Sequence, residues 1–522
     1  MSNVSALLLR DSLIRNDQIC PQRTAVIDGN VTISYRELLG RVDSVCAALW
    51  SLGVRPGDRV GILLENSVEY IELLLAMAHM RSIAVPLNTR LTASELQFIL
   101  NDAGAGVLIT SPALKPLAEE TWAQVGSIRH GLVTGPHPAD GRFASYQAAR
   151  STAAPFDPGM LPDWGDDATV ILLYTSGTTG LPKGCMTTDR SWLGNNTNMA
   201  MAFAISATDR YLALLPFFHV AGIGTLLAHL HAGGTVVPLA KYSPAGVAQM
   251  IAHARITLAF LVPPMIQQLL SLEHRAQYDF TSLRAVIGGV GFEPPWVSEQ
   301  VEEELQAKFF GIYGQSEAGN IVTAATRDDI AQRASTYGYE LPGFRVRIVD
   351  DADNPVPVGV AGELTLRGPS LMKGYWNREE ATQEALRGDW LHTGDIFLRQ
   401  PDGMLEMIDR KKYLIKTGGE NVYPAEVERI LSAHPAVADV SVIGIAHPVW
   451  GEAVKACVVL RPGHTPSRTE VAAWCRQRLA GYKIPRYIEW VPEIPRNHSG
   501  KPLKNLLQAR PTDSSQDVSS LH

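Results

Sequence analysis

Short runs dense in β-branched residues alternate along most of this chain with longer stretches of helical period, which limits the fold to a layered α/β architecture with much parallel sheet. RVGILL (59–64), ATVILLYT (168–175), LRAVIGG (283–289) and FRVRIVD (344–350) read as strands, and VEYIELLLAMAHM (68–80) reads as a helix. From Tyr211 to Ala240 there is no Asp, Glu, Lys or Arg, yet Pro216, Pro238 and the Gly233-Gly234 pair divide the stretch into strand, helix and strand. It is expected as a buried βαβ unit, not a membrane span. Residues 132–166, rich in Pro, Gly, Asp and Ala, are expected as a surface connection. After Asp409 the scale changes. NVYPAEVERIL places Pro424 near a helix start, and VADVSVIGI, AVKACVVL, RTEVAAWCRQRLA and YIEWV read as strand, strand, helix, strand. This predicts a small α+β domain of about a hundred residues. The tail PTDSSQDVSSLH is polar and expected to be disordered.

Composition narrows the function. A chain of 522 residues, 46% hydrophobic and 19% charged, has the material for more than one core. A net charge of -7 provides no basic field for a polyanion, so nucleic acid is not an expected partner. Cys20, Cys46, Cys185, Cys457 and Cys475 are scattered, without a C-x-x-C spacing, which predicts neither disulfides nor a zinc site and fits a reducing cytoplasm. Arg10 and Asp11 interrupt the first apolar run, so no targeting segment is expected.

The strand ending at Tyr174-Thr175 runs straight into SGTTGLPKG. A strand leading into a Gly- and hydroxyl-rich turn presents backbone N-H groups and hydroxyls to one point, where an anion binds. Gly177 and Gly180 supply conformational freedom, Ser176, Thr178 and Thr179 supply donors, and Lys183 supplies a cation. It is not a Walker loop, because Lys183 is preceded by Pro182 and followed by Gly184.

YTSGTTGLPKG resembles the phosphate-binding signature of the adenylate-forming superfamily of acyl-CoA synthetases, adenylation domains and luciferases. Further signatures recur in order: PFFHVAG (216–222), YGQSEAG (313–319), GELTLRGPSLMKGYW (362–376), HTGD (392–395), DRKKYLIKTGGENVYPAEVE (409–428) and PRNHSGKPLK (495–504). The resemblance spans about Leu39 to Lys504. It implies a large N-terminal domain over 1–409 of mixed and parallel sheets flanked by helices, a hinge at 410–412, and a small mobile α+β domain over 413–508, followed by the tail 509–522. It also implies a first step in which ATP and a carboxylic acid give an acyl-adenylate and pyrophosphate.

The resemblance carries roles to individual residues. Thr175, Ser176, Gly177, Thr178, Thr179, Gly180 and Lys183 would hold the ATP phosphates, and Glu317 would bind Mg2+. Tyr313 would stack on adenine, while Asp395 and Arg410 would take the ribose hydroxyls. His219, expected at a strand end, would gate an acyl pocket lined also by Gly289, Gly314 and Gly319; apart from Glu317, assigned to Mg2+, this region offers no obvious charge for an ammonium, so an apolar fatty or aryl acid is expected. Lys501 would be the main catalytic residue, offsetting charge as the adenylate forms. KTGGENVYPAEVE is typical of acyl-CoA synthetases, so Gly418, Gly419, Glu420, Trp450 and Lys483 are expected at CoA, with Lys412 as the pivot of domain rotation. Ser316 stands where the family usually has Thr, and Asp409 where many relatives have Gly. The reading is an acyl-CoA ligase using Mg2+, ATP and CoA, as a monomer or homodimer. Its alternatives are loading of a phosphopantetheinyl acyl carrier protein and, more remotely, an inactive acyl or nucleotide sensor.

Overall fold

The computed structural model describes residues 7–135, 141–162, 164–175, 181–288, 295–417, 420–496, 502–512 and 516–518. The chain divides into two compact units, residues 1–346 with 365–392, and residues 347–364 with 393–522.

The first unit contains two large sheets. In one, the strands Arg59–Leu63, Ile83–Pro86, Val107–Thr110, His130–Val133, Phe143–Ser145 and Thr169–Thr175 run parallel, and Lys183–Thr188 and Gly374–Tyr375 continue it antiparallel at one edge. The other includes Arg210–Ala213 and Thr235–Pro238, parallel neighbours joined by the helix Val220–Ala232. This is the uncharged βαβ unit expected from sequence. Its helix has 13 residues and spans about 20 Å at about 1.5 Å per residue, too short to cross a bilayer. Among the described residues no helix is long and apolar enough to do so.

The helix Val68–Met80 matches its sequence pattern. Ser67 caps it by accepting the Tyr70 N-H, and Arg81 ends it in the left-handed region at φ 56. Residues 132–166 are more ordered than a surface connection: they contain the strand Phe143–Ser145 and the helix Tyr146–Thr152. The cause is two aromatic anchors, Phe143 and Tyr146, each 1% exposed, which outweigh the loop-like composition around them.

In the second unit, the strands Val437–His447 and Gly451–Leu460 form a long antiparallel pair, Tyr487–Trp490 adds in parallel, and Ile415–Thr417 and Glu420–Val422 extend the other side. The helices Pro424–Ser432 and Arg468–Arg476 pack Val427, Leu431, Val471 and Cys475 onto this sheet. Among the described residues beyond Arg510, Gln516 and Val518 are buried, which the polar composition of the segment does not anticipate. Val518 is buried in the core and donates its N-H to Arg486 O at 2.8 Å, and Asp517 bridges Tyr487. Thr512 Oγ1 accepts a 2.8 Å bond from the fully buried Lys455, whose ammonium also meets Glu489 at 2.9 Å. A buried ammonium requires such partners.

Candidate active site

Ser176 to Gly180 lie outside the described residues, but their flanks are fixed. Thr175 and Lys183 are cross-strand partners, as are Tyr174 and Gly184, so the strands Thr169–Thr175 and Lys183–Thr188 form an antiparallel hairpin. The Tyr174 hydroxyl donates to Asp102 Oδ2 at 2.8 Å. Asp102 also receives Arg378 at 2.6 Å on Oδ1, and its carbonyl accepts the Trp376 indole N-H at 3.2 Å. The base of the hairpin is therefore clamped by a carboxylate from the helix Ala93–Ala103.

The edge strand Gly374–Tyr375 pairs with the hairpin, Tyr375 opposite Cys185. Lys373 N donates to Met186 O and Trp376 N to Gly184 O, both at 2.8 Å, and Met372 N donates to Glu317 O at 2.9 Å. Residues 372–376 thus tie the strand Lys183–Thr188 to the loop carrying Glu317. That loop is a 3-10 turn, Ser316–Ala318, between the antiparallel strands Lys308–Gln315 and Asn320–Thr326. Its glycines are steric requirements. A Cβ on Gly314 would lie 1.9 Å from Asn320 O, and Gly319 combines φ +81 with a position where a Cβ would lie 2.0 Å from Ser370 O.

On this scaffold the Tyr375 hydroxyl donates to Glu317 Oε1 at 3.0 Å, while Lys183 Nζ lies 5.1 Å from the centroid of the same ring. Burial, then the Glu317 charge, raises the Tyr375 hydroxyl above its ordinary value, so it keeps its proton and donates. The same two causes hold Cys185 as a neutral thiol rather than a nucleophile. Tyr313 is 6% exposed, its ring edge-on to Tyr337 at 6.0 Å. His219 does not end a strand. It is the exposed N-cap residue of Val220–Ala232, because the strand stops at Ala213 and Pro216 breaks the chain between them. Gly289 lies outside the described residues. Ile223, Leu226 and Leu227 of the helix are buried.

In the second unit, Asp395 and Arg410 are cross-strand partners, and Arg410 Nε lies 3.3 Å from Asp395 Oδ1. Asp395 is 3% exposed. Asp409 has a definite role: Oδ1 accepts the Arg410 N-H at 2.6 Å and Oδ2 the Ala425 N-H at 2.7 Å. It thereby caps the helix Pro424–Ser432, whose own N-cap, Tyr423, makes no side-chain cap. Burial raises its carboxyl above the ordinary range. Lys411 pairs with Glu363 and Asp351, both at 3.0 Å. Lys412 lies in the 3-10 turn Lys411–Tyr413. Gly418, Gly419 and Lys501 lie outside the described residues, and Glu420 is exposed. Trp450 is 41% exposed, with Arg486 5.4 Å from its ring. Lys483 is bound by both oxygens of Glu426 at 2.8 Å.

Sequence reading missed Tyr375, Asp102 and Glu426. Tyr375 lies inside a motif quoted for its resemblance, MKGYW, but an aromatic there looks like core. Asp102 and Glu426 carry no local signal.

The family model for AMP-binding enzyme matches residues 15–376, and that for the AMP-binding enzyme C-terminal domain matches residues 426–501. A feruloyl-CoA synthase from Amycolatopsis sp is 38% identical over 501 residues, 95% of this chain and 98% of that protein. A fatty acid–[acyl-carrier-protein] ligase from Streptomyces coeruleorubidus is 33% identical, covering 94% of each chain. The structure of o-succinylbenzoate CoA synthetase from Bacillus subtilis, in complex with its acyl-adenylate intermediate, superposes with a TM-score of 0.83 at 30% identity, over 96% of this chain and 99% of that one.

Proposed function

The chain belongs to the AMP-binding enzyme family, and from that premise we propose that it activates an apolar carboxylic acid, aryl in the first instance, as its adenylate and transfers the acyl group to CoA. The acid's carboxylate oxygen attacks the α-phosphorus of ATP and pyrophosphate leaves; the CoA thiolate then attacks the acyl carbon and AMP leaves.

The observation that carries this reading is the meeting of two motifs on one ring: Lys183 from the phosphate hairpin lies 5.1 Å from the Tyr375 centroid, and Glu317 takes the Tyr375 hydroxyl at 3.0 Å. Neither charged group makes an ion pair among the described residues, so both remain available to a charged ligand. Glu317 fits a hard divalent cation, being a half-buried oxygen donor held by a neutral hydroxyl. Mg2+ takes one or two carboxylates together with substrate phosphates and water, so a single Glu suffices on the protein side. Bound there, Mg2+ would neutralise phosphate charge.

In this proposal Thr175, residues 176–180 and Lys183 restrain the β- and γ-phosphates, Tyr313 faces adenine, and Asp395 with Arg410 takes the ribose hydroxyls. Lys501 offsets charge at the α-phosphate, and rotation about Lys412 separates adenylation from thioester formation. Gly418, Gly419, Glu420 and the exposed Trp450 serve CoA; Lys483, already held by Glu426, contributes little. His219 with Gly289, Gly314 and Gly319 bounds the acyl site. The uncharged helix Val220–Ala232 favours an apolar acyl group, since an ammonium would need a carboxylate, and a feruloyl-CoA synthase among the relatives supports an aryl acid.

Pyrophosphate release with a panel of aryl, fatty and small branched acids, each with CoA, with a phosphopantetheinylated carrier protein, or with neither, tests the proposal. The expected result is fastest release with aryl acids and thioester formation on CoA. Acylation of the carrier alone would transfer the reading to carrier loading, and ligand binding without pyrophosphate release would leave a sensor.

A further inference from the structure

The motif GELTLRGPSLMKGYW supplies a tyrosine that the reaction as described does not use. Tyr375 is fixed on every side by backbone bonds. Its own N-H donates to Thr382 Oγ1 at 2.9 Å, and the segment around it bonds to Glu317 O on one flank and to Met186 O and Gly184 O on the other. The ring therefore has little freedom, and its hydroxyl defines a point in space for one oxygen of Glu317.

We propose that Tyr375 is the positioning residue for the Glu317 carboxylate, and that its ring also keeps Lys183 from pairing with that carboxylate. The inference rests on the reading of Glu317 as the carboxylate for the divalent cation. A terminal carboxylate torsion is broad and roughly twofold, and the Cys185 thiol beside Glu317 is only a weak donor, so without the hydroxyl a half-buried Glu would sample several orientations. A cation as donor would fix it but would compete with the metal for the same charge. A neutral hydroxyl fixes one oxygen and leaves the negative charge in place. The ring does the corresponding work for the lysine: with Nζ 5.1 Å from its centroid, the ammonium is held by the π-face rather than by Glu317. Direct pairing of Lys183 with Glu317 would remove both charges from the nucleotide.

The test measures Mn2+ binding by loss of the free-ion electron paramagnetic resonance signal, in the presence of a non-cleavable ATP analogue. Wild type, Tyr375→Phe and Glu317→Gln are compared, and thermal unfolding without ligand monitors the fold. Tyr375→Phe keeps the ring under Lys183 and removes only the hydroxyl. It is expected to weaken Mn2+ binding on the order of tenfold, less than Glu317→Gln, the lower end of the scale of one hydrogen bond to a charged group. The half-saturating Mg2+ concentration for pyrophosphate release should rise by the same factor, while acyl transfer from supplied acyl-adenylate to CoA is unchanged. Wild-type Mn2+ binding by Tyr375→Phe alongside weakened binding by Glu317→Gln overturns the positioning role and leaves the metal reading intact. Wild-type binding by both overturns the metal reading and this inference with it. If Tyr375→Phe fails to fold, replacement of Tyr375 by 4-aminophenylalanine, which keeps a neutral N-H donor at the para position, takes its place. Its binding should stay within about threefold of wild type, and a loss equal to that of Glu317→Gln overturns the proposal.

Discussion

Two motif charges of the first unit, Lys183 and Glu317, are treated differently from the motif charges of the second. Around the hairpin of the first, Lys183 faces an aromatic ring and Glu317 a neutral hydroxyl, and neither makes an ion pair among the described residues. In the second, Asp395 pairs with Arg410, Lys483 with Glu426, and Lys411 with Glu363 and Asp351. Asp409, although charged by sequence, serves as a helix cap. Half-buried charges left unpaired cost stability, and they persist where a ligand repays that cost; charges that satisfy one another need no ligand. Motif membership alone does not make this distinction. Asp395 and Glu317 both belong to family signatures, yet among the described residues only Asp395 has an ionic partner.

The sharpest way to break the comparison is Lys501, the proposed exception in the second unit. Lys501→Ala should reduce carboxylate-dependent pyrophosphate release on the order of a hundredfold or more, as when other preorganised charge donors are removed. Transfer from supplied acyl-adenylate to CoA should survive, and an equal loss in both half-reactions would remove the assignment. Next in size is Lys412→Pro, which tests whether the charges of the two units are used in alternation. Fixing φ at the proposed pivot should leave first-turnover pyrophosphate release near normal and slow transfer to CoA on the order of tens of fold. Normal transfer in a single-turnover assay would place the pivot elsewhere.

Glu317→Gln addresses the open charge directly. It keeps the side-chain volume, and pyrophosphate release should fall at least about tenfold with a raised Mg2+ requirement, while the melting temperature changes little. A large stability loss with unchanged Mg2+ dependence would make Glu317 structural. Asp395→Asn tests the paired class. Because the buried carboxylate holds Arg410, the variant should lose about 1–2 kcal/mol of stability in urea unfolding, together with a few-fold rise in KM for ATP. The smallest effect belongs to Lys483→Ala. With the ammonium already committed to Glu426, KM for CoA should rise by less than about threefold; a tenfold rise would show that CoA displaces Glu426 and would blur the distinction between the units.

Elements with a strong period were legible from sequence. Val68–Met80 lies where its apolar spacing places it, and the uncharged stretch from Tyr211 to Ala240 is a βαβ unit. Ordered sequence motifs also identified Glu317, Asp395 and Arg410 as candidate site residues. Their electrostatic settings were not legible, because they arise from long-range neighbours. Asp102 is 276 residues from Arg378, and Tyr375 is 58 from Glu317. Phe143 and Tyr146 order a segment of loop-like composition for the same reason: two large buried rings outweigh many local preferences. His219 was misplaced by a few residues because the βαβ stretch is apolar throughout, so only Pro216 indicates where strand gives way to helix.

The contact beyond Arg510 has a consequence for truncation. Lys455, on a central strand, has no exposed surface, and its hydroxyl partner Thr512 follows it by 57 residues. Glu489 supplies the opposite charge and Thr512 a further hydrogen bond to the same ammonium. A chain cut before residue 512 would hold every motif of the active site and still leave this buried ammonium one acceptor short.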